Sequence, residues 1–562
     1  MPSTTKSAQE HSASFTSKQR TIALVVVALA FVMDLLDSTI VNVAIPTIQH
    51  GLGASYAAIQ WLVAGYTLTF ALFLITGGRM GDVFGYKKLF MLGVTGFTLA
   101  SLMCGVSVNP AMLITARLLQ GSMAALMVPQ VMSLMQVMYK PEERGAINGL
   151  FGALGGMAAT LGPIIGGLLI KANIAHWGWR PIFLLNVPVG IFALAMARKY
   201  LPDGKSEHPL KLDLVGTGII LIAMTLLIFP LIQGRELGWP VWTYIMMIAS
   251  VPTFLIFAKW QQIKMARDGS PLVVPSLFKA RSFTAGLLIN LIFEAAMLSY
   301  FLTFTLVIQI GLGFSAIHAA LTGIPLAIGI GLTMALLGEK VIPKLGRLAL
   351  FIGTSVMAIG LAIVLLTFHH YGVGIHSWQL APGLLLMGIG MGCVFGSLYA
   401  AVLNGVDVKH AGAASGILNA VQQVGGSIGI ALIGVIFFGQ LSHAAPTSFD
   451  AVSSQLRSQL SSYGIPAQDQ APIIASAEHC FVDRSREKDT SIIPASCQAA
   501  TAESVNPKMT ASITSTVLDA NDINFNHAFK YGIAFEIGLL AVVFGLAFSL
   551  PKHFRQQALQ EI

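Results

Sequence analysis

Residues 21–46 read TIALVVVALAFVMDLLDSTIVNVAIP, an apolar run whose only charged residues are Asp34 and Asp37. About 20 apolar residues, at roughly 1.5 Å each, cross the hydrocarbon of a bilayer, where the backbone must satisfy its own hydrogen bonds as a helix or a closed barrel. The run is of helix length and lacks the ten-residue alternation of barrel strands, so it predicts a transmembrane helix. It is too long and too acidic for a signal peptide and stays attached to the chain. An acid at membrane depth costs several kcal/mol unless paired or hydrated, so both aspartates are functional candidates.

Thirteen further runs of this kind follow. The fourteen spans are expected at roughly 21–46, 56–77, 89–107, 110–138, 145–170, 181–197, 212–233, 240–258, 283–309, 315–337, 348–368, 378–404, 411–440 and 529–550. With 55% apolar and 10% charged residues in 562, the composition argues against a soluble enzyme, and no enzymatic activity is expected. The fold class is an all-α membrane protein.

Orientation follows from the basic residues. Most of the 33 Lys and Arg fall on the side of the amino terminus, among them Arg79, Lys87, Lys88, Lys140, Arg144, Lys259, Lys264, Arg281, Lys340 and Arg347. The short loops on the other side hold only Lys171, Arg180 and Arg235. Both termini are therefore expected in the cytoplasm. The net charge of +8 is accounted for by this anchoring, and no nucleic-acid partner is implied. Two charged links divide the chain as six, two and six spans. The expected units are a tail 1–20, a six-helix bundle 21–200, a linker with two extra helices 201–282, a second bundle made of 283–440 and 529–550, an extracytoplasmic loop 441–528 and a tail 551–562. In that loop, 448–463 is expected to form a short surface helix and the rest to be loosely ordered.

Of the four cysteines, Cys104 and Cys393 lie in spans and read as small buried hydrophobes. Cys480 and Cys497 fall in the outer loop, where a disulfide persists, and are expected to pair; two free thiols are the alternative. The closed loop of roughly 18 residues contributes about 3 kcal/mol in the chain-entropy model.

Several motifs lie in order along the chain. Leu36-Asp37-Ser38-Thr39-Ile40-Val41-Asn42-Val43-Ala44-Ile45-Pro46 ends the first span, and Gly78-Arg79-Met80-Gly81-Asp82-Val83-Phe84-Gly85-Tyr86-Lys87-Lys88 follows the second. Arg117-Leu118-Leu119-Gln120-Gly121 with Pro129, then Gly162-Pro163-Ile164-Ile165-Gly166-Gly167, then Trp179 through Gly190 (WRPIFLLNVPVG) complete the set. Together they resemble the fourteen-span drug/proton antiporter branch, the EmrB/QacA group, of the major facilitator superfamily. The resemblance covers about Thr21 to Leu550 apart from the outer loop. It implies two six-helix bundles with two inserted helices, and multidrug efflux from a bacterial cytoplasmic membrane in exchange for protons. It implies no cofactor. In a Gram-negative cell it also implies a periplasmic adaptor as a possible partner, beside the drug substrate, protons and the lipid bilayer.

The resemblance makes Asp37 the first-helix acid and Arg117 the fourth-helix arginine that assists proton transfer. Counted from the span ends, they lie roughly 13 and 10 Å below the outer surface, so the two can meet. A structural ion pair fastening two helices is the alternative. Asp34, three residues earlier, shares a side with Asp37, and Glu294 lies about 16 Å into the ninth span, the counterpart of the first. Asp34 departs from the family motif, which has an apolar residue there, so its role rests on depth. Asp34 and Glu294 are candidates for both proton and substrate binding, the alternative for each being a protonated or hydrogen-bonded polar residue with no transport role; Asn290, Asn419, Gln422 and Gln423 are candidate polar substrate contacts, and helix–helix hydrogen bonds explain the four amides equally well. Glu536 is expected to face the outer vestibule.

Gly78, Asp82, Gly85, Lys87 and Lys88 resemble the superfamily's gate motif, in which the acid pairs with a base across the halves. Plain charge anchoring also explains the lysines. The echo Gly338-Glu339-Lys340-Val341-Ile342-Pro343-Lys344-Leu345-Gly346-Arg347 lacks the aspartate. Gly162, Pro163, Gly166 and Gly167 match the antiporter signature, while physically they supply a bendable, closely packed helix. Gly388 to Gly396 lies inside a span with no preceding strand and is read as helix packing, not a nucleotide loop. His369, His370 and His376 are read as solvated surface, so no metal is expected. An importer of the same fold and a membrane receptor or scaffold without flux remain as rivals.

Overall fold

The computed structural model describes residues 17–139, 141–206, 210–338, 341–403, 411–486, 494–497 and 507–552. Both tails lie largely outside the described residues, as do Glu339 and Lys340 of the second-half echo. We number the longer helices α1 (Ser17–Leu52), α2 (Tyr56–Phe84), α3 (Tyr86–Gly105), α4 (Pro110–Met138), α5 (Pro141–Ala172) and α6 (Pro181–Tyr200) in the first half. The inserted pair is α7 (Leu214–Glu236) and α8 (Val241–Asp268). The second half has α9 (Arg281–Gly311, closing in a π turn), α10 (Ala316–Leu337), α11 (Arg347–Tyr371), α12 (Ser377–Leu403), α13 (Ala411–Ser462), α14 (Ala467–Arg486) and α15 (Pro507–Ala547). Thirteen of the described helices are long and apolar enough to cross a membrane; in α5, a shorter apolar stretch, Leu161–Ala172, ends the helix.

Local chemistry sets the ends. Ser55 caps α2 by accepting from Ala58 N at 3.2 Å, and Asn109 caps α4 by accepting from Met112 N at 2.8 Å, with Pro110 in the first turn. Gly85 joins α2 to α3 at φ 102°, a conformation that costs a residue with a Cβ but not glycine.

The halves repeat. In the first, α2 packs on α4, α3 on α4, α1 on α5, and α6 on both α3 and α1. Eight helices on, α10 packs on α12, α11 on α12, α9 on α13, and the final helix α15 on both α11 and α9. The inserted α7 and α8 pack on each other, and α7 also touches α2 and α13. Because successive spans alternate in direction, the start of α1 and the end of α15 share one face, here the terminal face. The opposite one is the loop face.

The segment beyond the loop face differs from expectation. α13 runs unbroken past residue 440 to Ser462 and α15 begins at Pro507, so these two helices and α14 form a helical unit. Ala445, Phe449, Val452, Leu456 and Leu460 of α13 bury an apolar core against Ile474, Ala477 and Phe481 of α14 and Ala520 of α15. Its composition reads as disordered because the stripe is diluted by Ser and Gln. Burying the stripe between helices that are already anchored offsets the ordering cost. The sulfurs of Cys480 and Cys497 are bonded.

Candidate functional site

Asp37, on α1, is 1% exposed. Its Oδ2 accepts from Arg117 Nη1 of α4 at 2.5 Å, and its Oδ1 accepts from Gln120 Nε2 of α4 and Asn186 Nδ2 of α6, each at 2.8 Å. Ser101 Oγ on α3 takes further bonds from both amides, at 2.8 and 3.3 Å. Arg117 also donates from Nε to Leu62 O of α2 at 3.2 Å and from Nη1 to Gln120 Oε1 at 2.8 Å. Each oxygen of Asp37 thus has a donor and its charge has a partner, the condition for a buried ion pair to persist.

Asp34, 7% exposed and one turn away, meets a different environment. Its Oδ1 accepts the Tyr66 hydroxyl of α2, and no cation pairs with it among the described residues. The Arg117 guanidinium lies over the Tyr66 ring, 4.2 Å from its centroid, so this one aromatic side chain links Asp34 to the arginine that pairs with Asp37. Tyr66 sits this deep because α4 carries Gly121 opposite it: a Cβ there would stand 2.3 Å from Tyr66 O. The network joins α1, α2, α3, α4 and α6. It holds two carboxyls against one guanidinium.

The second half has no such cluster around its expected residues. Glu294 is half-buried with no hydrogen bond or ion pair among the described residues. Asn290 is fully buried and its Nδ2 donates to Leu418 O of α13 at 3.3 Å, a bond between two helices. Asn419, Gln422 and Gln423 are half-buried on α13. No contact joins Asp34 to Glu294 among the described residues. Glu536 corrects an expectation: it is not turned to a vestibule but fully buried between α15 and α9, where Thr303 Oγ1 lies 3.4 Å from its Oε1.

The gate motif also differs. Asp82 accepts the Tyr86 hydroxyl at 3.0 Å, and no cross-half ion pair forms at it among the described residues. Lys87 is half-buried and Lys88 exposed. Gly78 packs beside Pro129. The buried arginine of the motif, Arg79, donates to the carbonyls of Ser270 and Pro271, which follow α8, and of Lys211, which precedes α7. The inserted pair is therefore fastened to the gate motif. Asp213 holds that junction by accepting from Gly216 N, Trp260 Nε1 and Gln261 Nε2, each at 2.9 Å, and from Leu272 N at 3.4 Å. Burial pushes its proton affinity up, but these four donors outweigh it and hold the carboxyl below its usual range.

Toward the loop face the halves close on each other. Gln60 Nε2 donates to Ile430 O at 3.0 Å, Thr67 and Ser427 hydroxyls lie 2.7 Å apart, Tyr56 stacks on Phe438, and Gln309 Nε2 donates to Val43 O at 3.1 Å. The antiporter motif belongs to this seal. A Cβ on Gly162 or Gly166 would stand 2.1 Å from Thr39 Oγ1 or 2.7 Å from Ile40 Cγ1 of α1, and one on Gly167 would stand 2.7 Å from Ile317 Cα of α10. Pro163 lies between these contacts, inside α5.

Sequence reasoning gave no role to Tyr66, Ser101, Gln120 or Asn186. Gln120 and Asn186 stand within quoted motifs, and their position one turn from Arg117 or on the sixth span was the available signal. Tyr66 and Ser101 carry no local signal.

Two repeated helical bundles with a buried acid–arginine network define a multi-pass membrane transporter fold. The sequence assigns the branch of that class: residues 27–430 match the family model described as Major Facilitator Superfamily, and the chain belongs to that family. It is 40% identical to the "Probable actinorhodin transporter" of Streptomyces coelicolor, over 96% of this chain and 93% of that protein. It is 32% identical to the "Tetracenomycin C resistance and export protein" of Streptomyces glaucescens, over 75% and 77%. The "Methylenomycin A resistance protein" of Bacillus subtilis is 33% identical over 75% and 88%. Among solved structures, a bacterial homologue of the human lysosomal transporter Spinster, in an inward-facing and unoccupied conformation, superposes with a TM-score of 0.57 at 15% identity, over 95% of this chain and 98% of that one. That likeness shows the fold.

Proposed function

We propose that this protein is a drug/proton antiporter that exports lipophilic, cationic small molecules by alternating access, seated in a bacterial cytoplasmic membrane with both termini inside. The observation that carries the reading is Asp34: a buried carboxyl with a phenol as its partner and no cation, one turn from an acid that is fully balanced. A network that leaves one carboxyl without a positive partner can be balanced by a proton or by a cationic drug, and exclusive occupancy by one or the other is what antiport requires. The resistance and export proteins among the relatives support the outward direction.

In this reading Asp34 and Glu294 exchange proton for substrate, and the Asp37–Arg117 pair positions Tyr66. Gly162, Pro163, Gly166 and Gly167 form the loop-face seal, and the stretch from Gly78 to Lys88 controls the terminal face. The test is pH-gradient-driven export of ethidium, actinorhodin and tetracenomycin C from liposomes holding wild type, Asp34→Asn, Asp37→Asn or Glu294→Gln. Asp34→Asn and Glu294→Gln are expected to lose coupling to the gradient while still binding dye. Unchanged coupling in both would sink the assignment.

A further inference from the structure

We propose that Glu536 is a proton-binding site of the second half, a carboxyl that loads and releases a hydrogen ion as the α9–α15 interface opens and closes. The proposal deepens the antiport reading and rests on it for the direction of ion flow.

Glu536 lies eleven residues before the end of α15, roughly 16 Å along the helix and so near the middle of the membrane. It is fully buried. Among the described residues, Oε1 has only the long contact to Thr303 Oγ1, and Oε2 has no hydrogen-bond partner. Tyr300, one turn before Thr303 on α9, is buried as well, lies within electrostatic reach of Glu536, and also leaves its hydroxyl unpartnered. Of the other helices packed against α15, α13 carries no ionisable residue between 414 and 440 and α11 none between 348 and 368. The nearest cation on α15 itself is Lys530, six residues and about 9 Å earlier along the axis.

The repeat makes the contrast sharp. α9 and α15 correspond to α1 and α6, whose interface holds Asp37 and Asn186. Asp37 has a guanidinium and two amides as partners. Glu536 occupies the matching interface with one hydroxyl and no cation. A carboxylate left that way at membrane depth costs several kcal/mol, whereas the neutral acid only needs an acceptor for its hydroxyl, which Thr303 Oγ1 offers. The closed interface therefore selects the acid form. Release follows when the interface parts and water reaches the carboxyl: the O–H bond breaks, its electron pair stays on the oxygen, and water leaves as hydronium. Reloading reverses each of these steps.

The test uses the full-length protein in lipid. Infrared difference spectra between acid and alkaline pH are expected to show a protonated-carboxyl carbonyl band that is lost in Glu536→Gln and displaced in Thr303→Val. Gradient-driven ethidium export is expected to fall to the level of empty liposomes in Glu536→Gln and to survive in part in Glu536→Asp. A carbonyl band unchanged in Glu536→Gln overturns the proposal. If that variant does not fold, an undisplaced band in Thr303→Val overturns it instead. The infrared arm needs no transported ligand, so its failure is separable from failure of the Asp34 and Glu294 variants.

Discussion

Asp34 and Asp37 stand three residues apart on one helix face, yet the side chains around them give opposite balances. Asp37 is paired and Asp34 is not, and the difference comes from Arg117, Gln120 and Asn186 converging on one acid from two other helices. Removing one member of a buried pair leaves the other charge uncompensated, at a cost of about 3–5 kcal/mol. Arg117→Met is therefore expected to lower the thermal unfolding temperature of detergent-solubilised protein sharply. The double variant Asp37→Asn/Arg117→Met, which buries no charge, is expected to recover most of the loss without recovering transport. Equal melting of the single and double variants would count against a buried ion pair. The meeting of Asp37 and Arg117 is legible in the sequence because both lie at one depth on oppositely directed spans. Tyr66 as the bridge is not, since which face of α2 turns toward α1 depends on the close approach at Gly121.

Helices as units explain what local pattern could not. The spans are readable from length and hydropathy alone, but α13 and α15 continue well past the membrane as helices, because the Phe449 and Leu456 stripe needs α14 to cover it. The insert is similar: α7 and α8 read as two extra spans, and nothing in their sequence announces that Arg79 docks on the carbonyls that flank them. Asp213 makes that junction sensitive to acid. Its proton affinity is lower in the folded chain, so it stabilises the junction wherever the unfolded carboxyl is ionised, above about pH 4, and this stabilisation is lost as the pH falls through the folded value. Asp213→Asn is expected to destabilise the protein at neutral pH and to flatten the acid limb of its stability profile. Parallel wild-type and variant profiles in pH-dependent thermal melts would contradict this.

Across the whole molecule, the repeat places α2 against α13 and α5 against α10, two symmetry-related crossings that both lie toward the loop face. Packed interfaces of this kind have discrete arrangements, so opening the loop face means breaking both crossings together as one bundle rocks against the other. Thr67 and Ser427 sit at the first crossing with their hydroxyls 2.7 Å apart, close enough for sulfurs at the same positions to bond. The pair Thr67→Cys/Ser427→Cys, oxidised in the membrane, should therefore lock the seal. Export is expected to stop on oxidation and return on reduction, with each single variant unaffected by either treatment. The locked protein should still bind dye from the terminal face, because the Asp34 network lies in the first half and is reached without breaking the seal. Continued export by a fully cross-linked double variant would mean that this crossing never opens, and the two halves would then have to exchange access by some motion other than rocking about it.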